Sequence, residues 1–342
     1  MTRFHVSVAA AVAAVVVAAA HAGAQVPRTP WGDPDLQGDY TNKYEQGTPF
    51  ERPDEFEGRR IEDITPEEFA RIRQERQDRV LLQAVLAGGD QAGNLGGPLH
   101  WQDFFDVTKG SRPWFVIDPP DGKIPPTTAE ARRRAAARAE ARRGRGNADS
   151  WIDRSLYDRC ITRGLPGSMM PAIYGNSYRI VQAPGVVAIQ YEMVHETRII
   201  PLDGRPRAGR EIRQHMGDAR GWWEGDTLVV ETTNFRDESA YRGANADTLA
   251  IIERFTPIAP DRLEWRVTVV DPETWERPWT FAMPLTRNPD EAIVEYACHE
   301  GNRAMANILS AARAEEQAIE EARRRGITLA PREIPTAAEG ER

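Results

Sequence analysis

Two short stretches of the chain carry side chains suited to acid–base or binding chemistry. In "VVAIQYEMVHETRII", Val186 to Ile200, a period of two puts Ile189, Tyr191, Met193 and His195 on one face. Gln190, Glu192, Glu196 and Arg198 fall on the other. A phenol and an imidazole four residues apart are about 13 Å apart on an extended strand. If the apolar face lines a barrel, Tyr191 and His195 look into one cavity, where both exchange protons and hold polar ligand groups. The plainer alternative is a core pair bonded to backbone. In this register Glu192, Glu196 and Arg198 make a charged exterior, with Arg198 a candidate for holding a ligand. A slip of one residue exchanges the faces and makes Glu192 and Glu196 acid–base candidates.

The second stretch is "EYACHEGN", Glu295 to Asn302, where Cys298, His299 and Glu300 are adjacent. The chain has two cysteines, Cys160 and Cys298. An even pair in an oxidising compartment most simply forms one disulfide, which removes the thiol as a nucleophile. Glu300 then serves a helix N-terminus, and His299 is left as a candidate ligand-binding residue. Trp222 and Trp223, in "ARGWWEGDTLVVETTNF", are further candidates. With Trp265, Trp275 and Trp279 they suit an aromatic pocket, or ordinary core packing.

Other chemistries lack a signature. His100, His195, His215 and His299 show no H-x-x-x-H, H-x-H or H-E-x-x-H spacing, so no metal site is expected. No G-x-S-x-G or G-x-G-x-x-G occurs, and Gly167-Ser168 in "GLPGSMMP" lacks the nucleophile-elbow pattern. No cofactor is expected. The net charge of -8 disfavours nucleic acid. Seven arginines between Arg132 and Arg145 lie on an Ala/Arg helix with almost no apolar face, which suits a solvated arm better than a bilayer or nucleic-acid contact.

The elements that must position these residues follow from composition. Arg3, an apolar run from Val6 to Ala20 and the Ala20-x-Ala22-x-Ala24 spacing predict a signal peptide over residues 1–24. The run is shorter than the ~20 residues of a membrane span. The mature chain is therefore expected to be soluble, not membrane-inserted, and periplasmic or secreted. Residues 25–150 read as an irregular segment with two helices. One is capped at Thr65-Pro66 and ends before the glycine-rich run from Ala87. The other begins with a Thr127-x-x-Glu130 capping box. "PWFVI" adds a short strand. From Ser177 to Cys298, runs rich in Val, Ile, Thr and aromatics alternate with Gly-Asp and Asp-Gly turns. They predict a mainly β domain, residues 151–326: an antiparallel meander of about eight strands closing into a barrel or sandwich. Its last strand is "EAIVEYA". A helix from Asn302 to Arg325 follows, with Met305, Ile308, Leu309 and Ala312 as a stripe for docking on the barrel. Residues 327–342 are expected to be a disordered tail.

The motifs "PWGDPDLQG", "DPPDGKIPP", "WWEGDTLVVETTNF" and "YACHEGN" together resemble a large group of uncharacterised secreted bacterial proteins, over nearly all of the mature chain. That resemblance implies export and a barrel similar to lipocalins and other calycins. "PDLQGDYTN" is similar to the lipocalin Gly-x-Trp opening, with Tyr40 at the tryptophan position. The resemblance carries no activity onto particular residues. Two functions are expected of such a chain. One is enclosure of a small, largely apolar or aromatic molecule in a barrel pocket. The other is cofactor-free acid–base catalysis by a lyase, isomerase or hydrolase, using His195 with Tyr191 or Glu192. A third, an interaction protein with charged helices, has no motif behind it. The sequence does not specify an oligomeric state.

Overall fold

A computed structural model of the chain describes residues 26–86, 110–172, 174–290 and 293–327. The expected signal peptide, His100 and the tail after residue 327 lie outside them.

Ten strands form one antiparallel sheet: β1 (Gly38–Thr41), β2 (Val116–Asp118), β3 (Ser177–Ala183), β4 (Val186–Tyr191), β5 (Thr197–Pro201), β6 (Asp218–Glu224), β7 (Thr227–Thr233), β8 (Ala250–Ala259), β9 (Arg262–Val270) and β10 (Trp279–Arg287). Their order is β5-β4-β3-β1-β10-β9-β8-β7-β6, with β2 also paired to β10. The sheet curls into a nearly closed barrel, as the meander predicts. Alternation drives it: on β9 Leu263, Trp265, Val267 and Val269 turn inward and are buried, while Arg262 and Arg266 face out. Gly185 and Gly225 adopt the left-handed φ values of +76° and +61° that the tight turns of β3–β4 and β6–β7 demand.

The two edge strands, β5 and β6, meet at a seam that Gly221 makes possible. A Cβ added there would stand 2.8 Å from the Ile200 side chain and 2.7 Å from that of Leu202. We expect Gly221→Val to lower stability by about 1–3 kcal/mol, the usual cost of overpacking. Urea unfolding monitored by tryptophan fluorescence checks this, and an unchanged midpoint would place the seam elsewhere.

Several expectations need correction. The run from Val186 to Ile200 is not one strand. Residues 192–196 turn back on themselves, with the Tyr191 N–H donating to the Glu196 carbonyl at 2.9 Å. Val194 and His195 hold left-handed φ values of 59° and 42° there. A β-branched residue in that region costs about 1–2 kcal/mol, and no Gly, Pro or Asn announces the turn. Burial of the Met193 and Val194 side chains offsets the strain.

"EAIVEYA" forms no strand over its described residues, 293–297. Its place beside β10 is taken by β1 and β2, so it has no free edge to join. Conversely, the N-terminal segment supplies an unexpected strand, β1, inserted between β3 and β10, besides β2, where the "PWFVI" strand is expected. β1 is only four residues long and rich in turn formers, but it is paired on both sides, and the Tyr40 hydroxyl donates to the Leu36 carbonyl at 2.9 Å.

The helices are α1 (Pro66–Leu86), α2 (Ala129–Ala141) and α3 (Ala304–Arg324). Thr65 caps α1 by accepting from the Glu68 N–H at 3.2 Å. Thr128, not Thr127, caps α2 by accepting from the Ala131 N–H at 3.1 Å. Each of the seven α2-region arginines has a partner, for example Arg145 with Asp153 at 2.8 Å and Arg134 with the Thr274 hydroxyl at 2.6 Å. Met305, Ile308, Leu309 and Ala312 on α3 stay half-exposed, so the stripe is not buried on the barrel as expected. Among the described residues, no helix is long and apolar enough to cross a membrane.

Candidate functional site

The barrel interior is filled. Tyr178, Tyr191, Leu228, Val230, Phe255, Trp265 and Phe281 pack there essentially without exposure. Within this apolar filling lies one ion pair. Arg198 donates to Glu253, with Nη2–Oε1 at 3.1 Å, and Trp265 Nε1 donates to the same carboxylate at 3.1 Å. Residue exposures of 4% and 0% put Arg198 and Glu253 inside, which corrects the expected exterior position of Arg198. The turn at residues 192–196 resets the alternation, so Arg198 arrives in β5 facing inward. Burial works against its charge, but Glu253, Tyr191 and the hydrogen bond together hold its pKa above the ordinary value.

The other predicted residues are dispersed. Tyr191 ends β4 in the core, edge-on to Tyr178 at 6.1 Å, and its hydroxyl has no hydrogen-bond partner among the described residues. Burial pushes that hydroxyl well above the usual tyrosine range. His195 is exposed, contrary to the shared face, and its Nδ1 meets the Tyr296 carbonyl oxygen at 2.8 Å. Glu192 is half-buried and accepts from the Ser177 N–H at 3.1 Å. His195, Tyr191 and Glu192 therefore do not face a common space, and their arrangement makes no acid–base pair. His299 is exposed. Trp222 is 41% exposed, with its indole N–H on Glu224 at 2.9 Å, while Trp223 packs against the core. Trp265, Trp275 and Trp279 are core residues rather than a lining. Among the described residues, no three His, Cys, Asp or Glu side chains gather to hold a metal.

Cys160 and Cys298 do form a disulfide, joining residues 138 apart in the chain. What it fastens is not a last strand but the coil that carries Tyr296 and leads to α3. Its other end, Cys160, lies in the chain between Tyr157 and Thr162, which both line a cavity.

That cavity, about 980 Å³, sits at one mouth of the barrel, where β1 and β7 leave and β3 enters. Three loops enclose it: Glu45–Phe50 after β1, Ser155–Ala172 before β3, and Glu238–Gly243 after β7. Phe50 is its aromatic floor. That ring packs on Phe281 at 5.2 Å and Trp279 at 5.9 Å, and so joins the barrel core to the mouth. Phe115, Leu156, Leu165 and Met170 extend the apolar wall.

Polar groups punctuate this wall. Tyr157 shares a hydrogen bond with the Tyr296 hydroxyl at 3.2 Å, and burial pushes its pKa upward. Glu45 accepts from the Ser111 N–H and hydroxyl at 2.8 and 2.9 Å, and its pKa is raised by burial, which those bonds and the nearby Arg112 and Arg76 only partly oppose. The buried Gln46 Nε2 has no partner among the described residues. Thr162 donates to Glu196 at 2.7 Å behind the wall, and burial raises the Glu196 pKa as well. Arg163 and Arg242 complete the lining.

Sequence reasoning missed nearly all of these residues. They lie in loops, where no period marks a side chain as inward. The available signal was local: "CITRGLPGSMMP" and "SAYRGA" each set an arginine beside glycine, where the chain bends sharply.

No protein-family model and no curated protein matches the chain. A solved structure that does match is a "secretary abundant heat soluble (SAHS) protein" from Ramazzottius varieornatus, at 13% identity and a TM-score of 0.24. The match covers 39% of this chain and 87% of that one. At that score the description of the barrel rests on its own strand pairing.

Proposed function

We propose that this chain is an exported protein that binds a small molecule with a largely apolar or aromatic body at the open end of its barrel. One observation carries the reading: a cavity of about 980 Å³ at the mouth, floored by Phe50 and walled by apolar side chains and a few polar ones. Ligand sites commonly enclose about 300–1,000 Å³ with that mixture. The place differs from the pocket expected at the sequence level, because the barrel centre is occupied by its own side chains. The Cys160–Cys298 disulfide supports export, since such bonds persist in oxidising compartments.

Gly167 offers a direct test. It lines the cavity, and a Cβ there would have nothing within 4 Å. A tryptophan at that position fills the space without forcing the wall apart. The neutral fluorophore N-phenyl-1-naphthylamine is expected to bind the wild-type protein and to bind Gly167→Trp at least about tenfold more weakly, the loss of about 1.4 kcal/mol. The thermal midpoint should stay within a few degrees. Equal binding by both proteins would rule this cavity out as the site.

A further inference from the structure

We infer that the ligand of the mouth cavity carries an oxyanion group on its apolar body, held by the guanidinium groups of Arg163 and Arg242; this rests on the binding reading above. Among the described residues most other arginines are matched to acceptors; Arg159, stacked on Trp151 outside the cavity lining, is an exception. The α2 arginines all have partners, and the core Arg198 has Glu253. The two in the cavity differ. Among the described residues, neither Arg163 nor Arg242 has a carboxylate partner, although both are half-buried.

Aromatic faces hold them instead. Arg242 lies over the Phe50 ring at 4.7 Å and the Tyr241 ring at 5.7 Å, and its Nε donates to the Tyr241 hydroxyl at 3.3 Å. That bond uses the inner nitrogen and fixes the plane of the fork, while the terminal N–H groups have no acceptor among the described residues. Arg163 lies over the Tyr157 ring at 5.4 Å. A planar guanidinium stacked in this way is prepared to grip a carboxylate, sulfonate or phosphate with two parallel bonds.

Arg242 stands at φ 51° and ψ 34°, a left-handed conformation that few non-glycine residues adopt. The carboxylates that line the cavity do not neutralise the pair. Glu238 bonds Arg236 at 2.7 Å, and Glu45 is tied to Ser111 with Arg76 and Arg112 nearby. Two unopposed cations beside an apolar wall are costly without an anion to pair with. Phe50, Phe115 and Leu165 match the apolar body of such a ligand.

Two dyes with the same ring system separate this inference from the binding reading. 8-Anilinonaphthalene-1-sulfonate differs from neutral N-phenyl-1-naphthylamine by its sulfonate. The expected result is that the sulfonate dye binds wild-type protein about tenfold more tightly, as one charge-assisted bond would provide. Raising the salt concentration should weaken the sulfonate dye alone. Arg163→Gln and Arg242→Asn, the latter chosen because asparagine tolerates a left-handed backbone, should each lower sulfonate affinity about tenfold more than they lower that of the neutral dye. Arg242→Lys should retain part of the preference. If the neutral dye binds in a Gly167→Trp-sensitive manner while the sulfonate dye binds no better and shows no salt dependence, the oxyanion inference is overturned and the binding reading stands. If neither dye responds to Gly167→Trp, both fail together.

Discussion

Glu253→Leu alone is expected to cost the fold about 3–5 kcal/mol, the usual consequence of stranding one member of a buried ion pair. The reason lies in what remains. Arg198 would keep a full charge inside a barrel filled by Phe255, Trp265 and Phe281, with no carboxylate to meet it. Trp265 Nε1 would lose its acceptor as well. Replacing both members, Arg198→Met with Glu253→Leu, should recover most of the loss, because two apolar side chains replace two desolvated charges. The double variant is expected to fall short of wild type by about 1 kcal/mol, from the unpaired indole N–H. Urea unfolding of the oxidised wild type, Glu253→Leu, Arg198→Met and the double variant measures these effects. A Glu253→Leu protein as stable as wild type would mean that the pair is solvated. A double variant with the summed losses of both single variants would mean that the two residues do not interact.

The second large effect concerns the disulfide. Cys160→Ser with Cys298→Ser should lower stability by about 2–5 kcal/mol. The separation of 138 residues puts the chain-entropy expectation near the top of that range, roughly 5 kcal/mol. Denaturant midpoints of wild type with and without reductant, and of the double variant, provide the check. The reduced wild type and the double variant should coincide. The same change should weaken binding of N-phenyl-1-naphthylamine, because Cys160 anchors the loop whose Tyr157 and Thr162 line the cavity. A full loss of stability with undiminished dye binding would separate the staple from the site. An unchanged midpoint in both reduced and mutant protein would deny the bond any role in stability.

Legibility of the fold varied with the kind of constraint. Seven of the strands, β3, β4 and β6–β10, lie within runs identifiable from their Val, Ile, Thr and aromatic content, and their turns from Gly-Asp and Asp-Gly pairs. Those signals are local, since each strand must present one apolar face whatever its neighbours. β1 escaped notice because four residues of "GDYT" become a strand only between β3 and β10. "EAIVEYA" failed for the opposite reason: a strand-like composition without an edge to pair with is a coil.

The site was less legible than the fold. Tyr191 and His195 share a parity in the sequence but not a face in the molecule, because Val194 and His195 bend left-handed between the two strands. That bend is paid for by packing that no local pattern records. Arg198 turned inward by the same shift and met Glu253, which is 55 residues further along. Arg163 and Arg242 look in the sequence like two among many arginines.

The sequence by itself determined what local composition and pairing within reach can determine: a β meander, three helices with the Thr65 cap of the first, and a disulfide between the only two cysteines. Alternation, capping and thiol pairing each need few partners, so the residues involved announce them. Tertiary structure alone decided which end of the barrel is hollow, which charges are buried together and which arginines are left without a carboxylate. Those facts depend on residues brought together by barrel closure, and a loop carries no period by which its side chains could foretell where they will point.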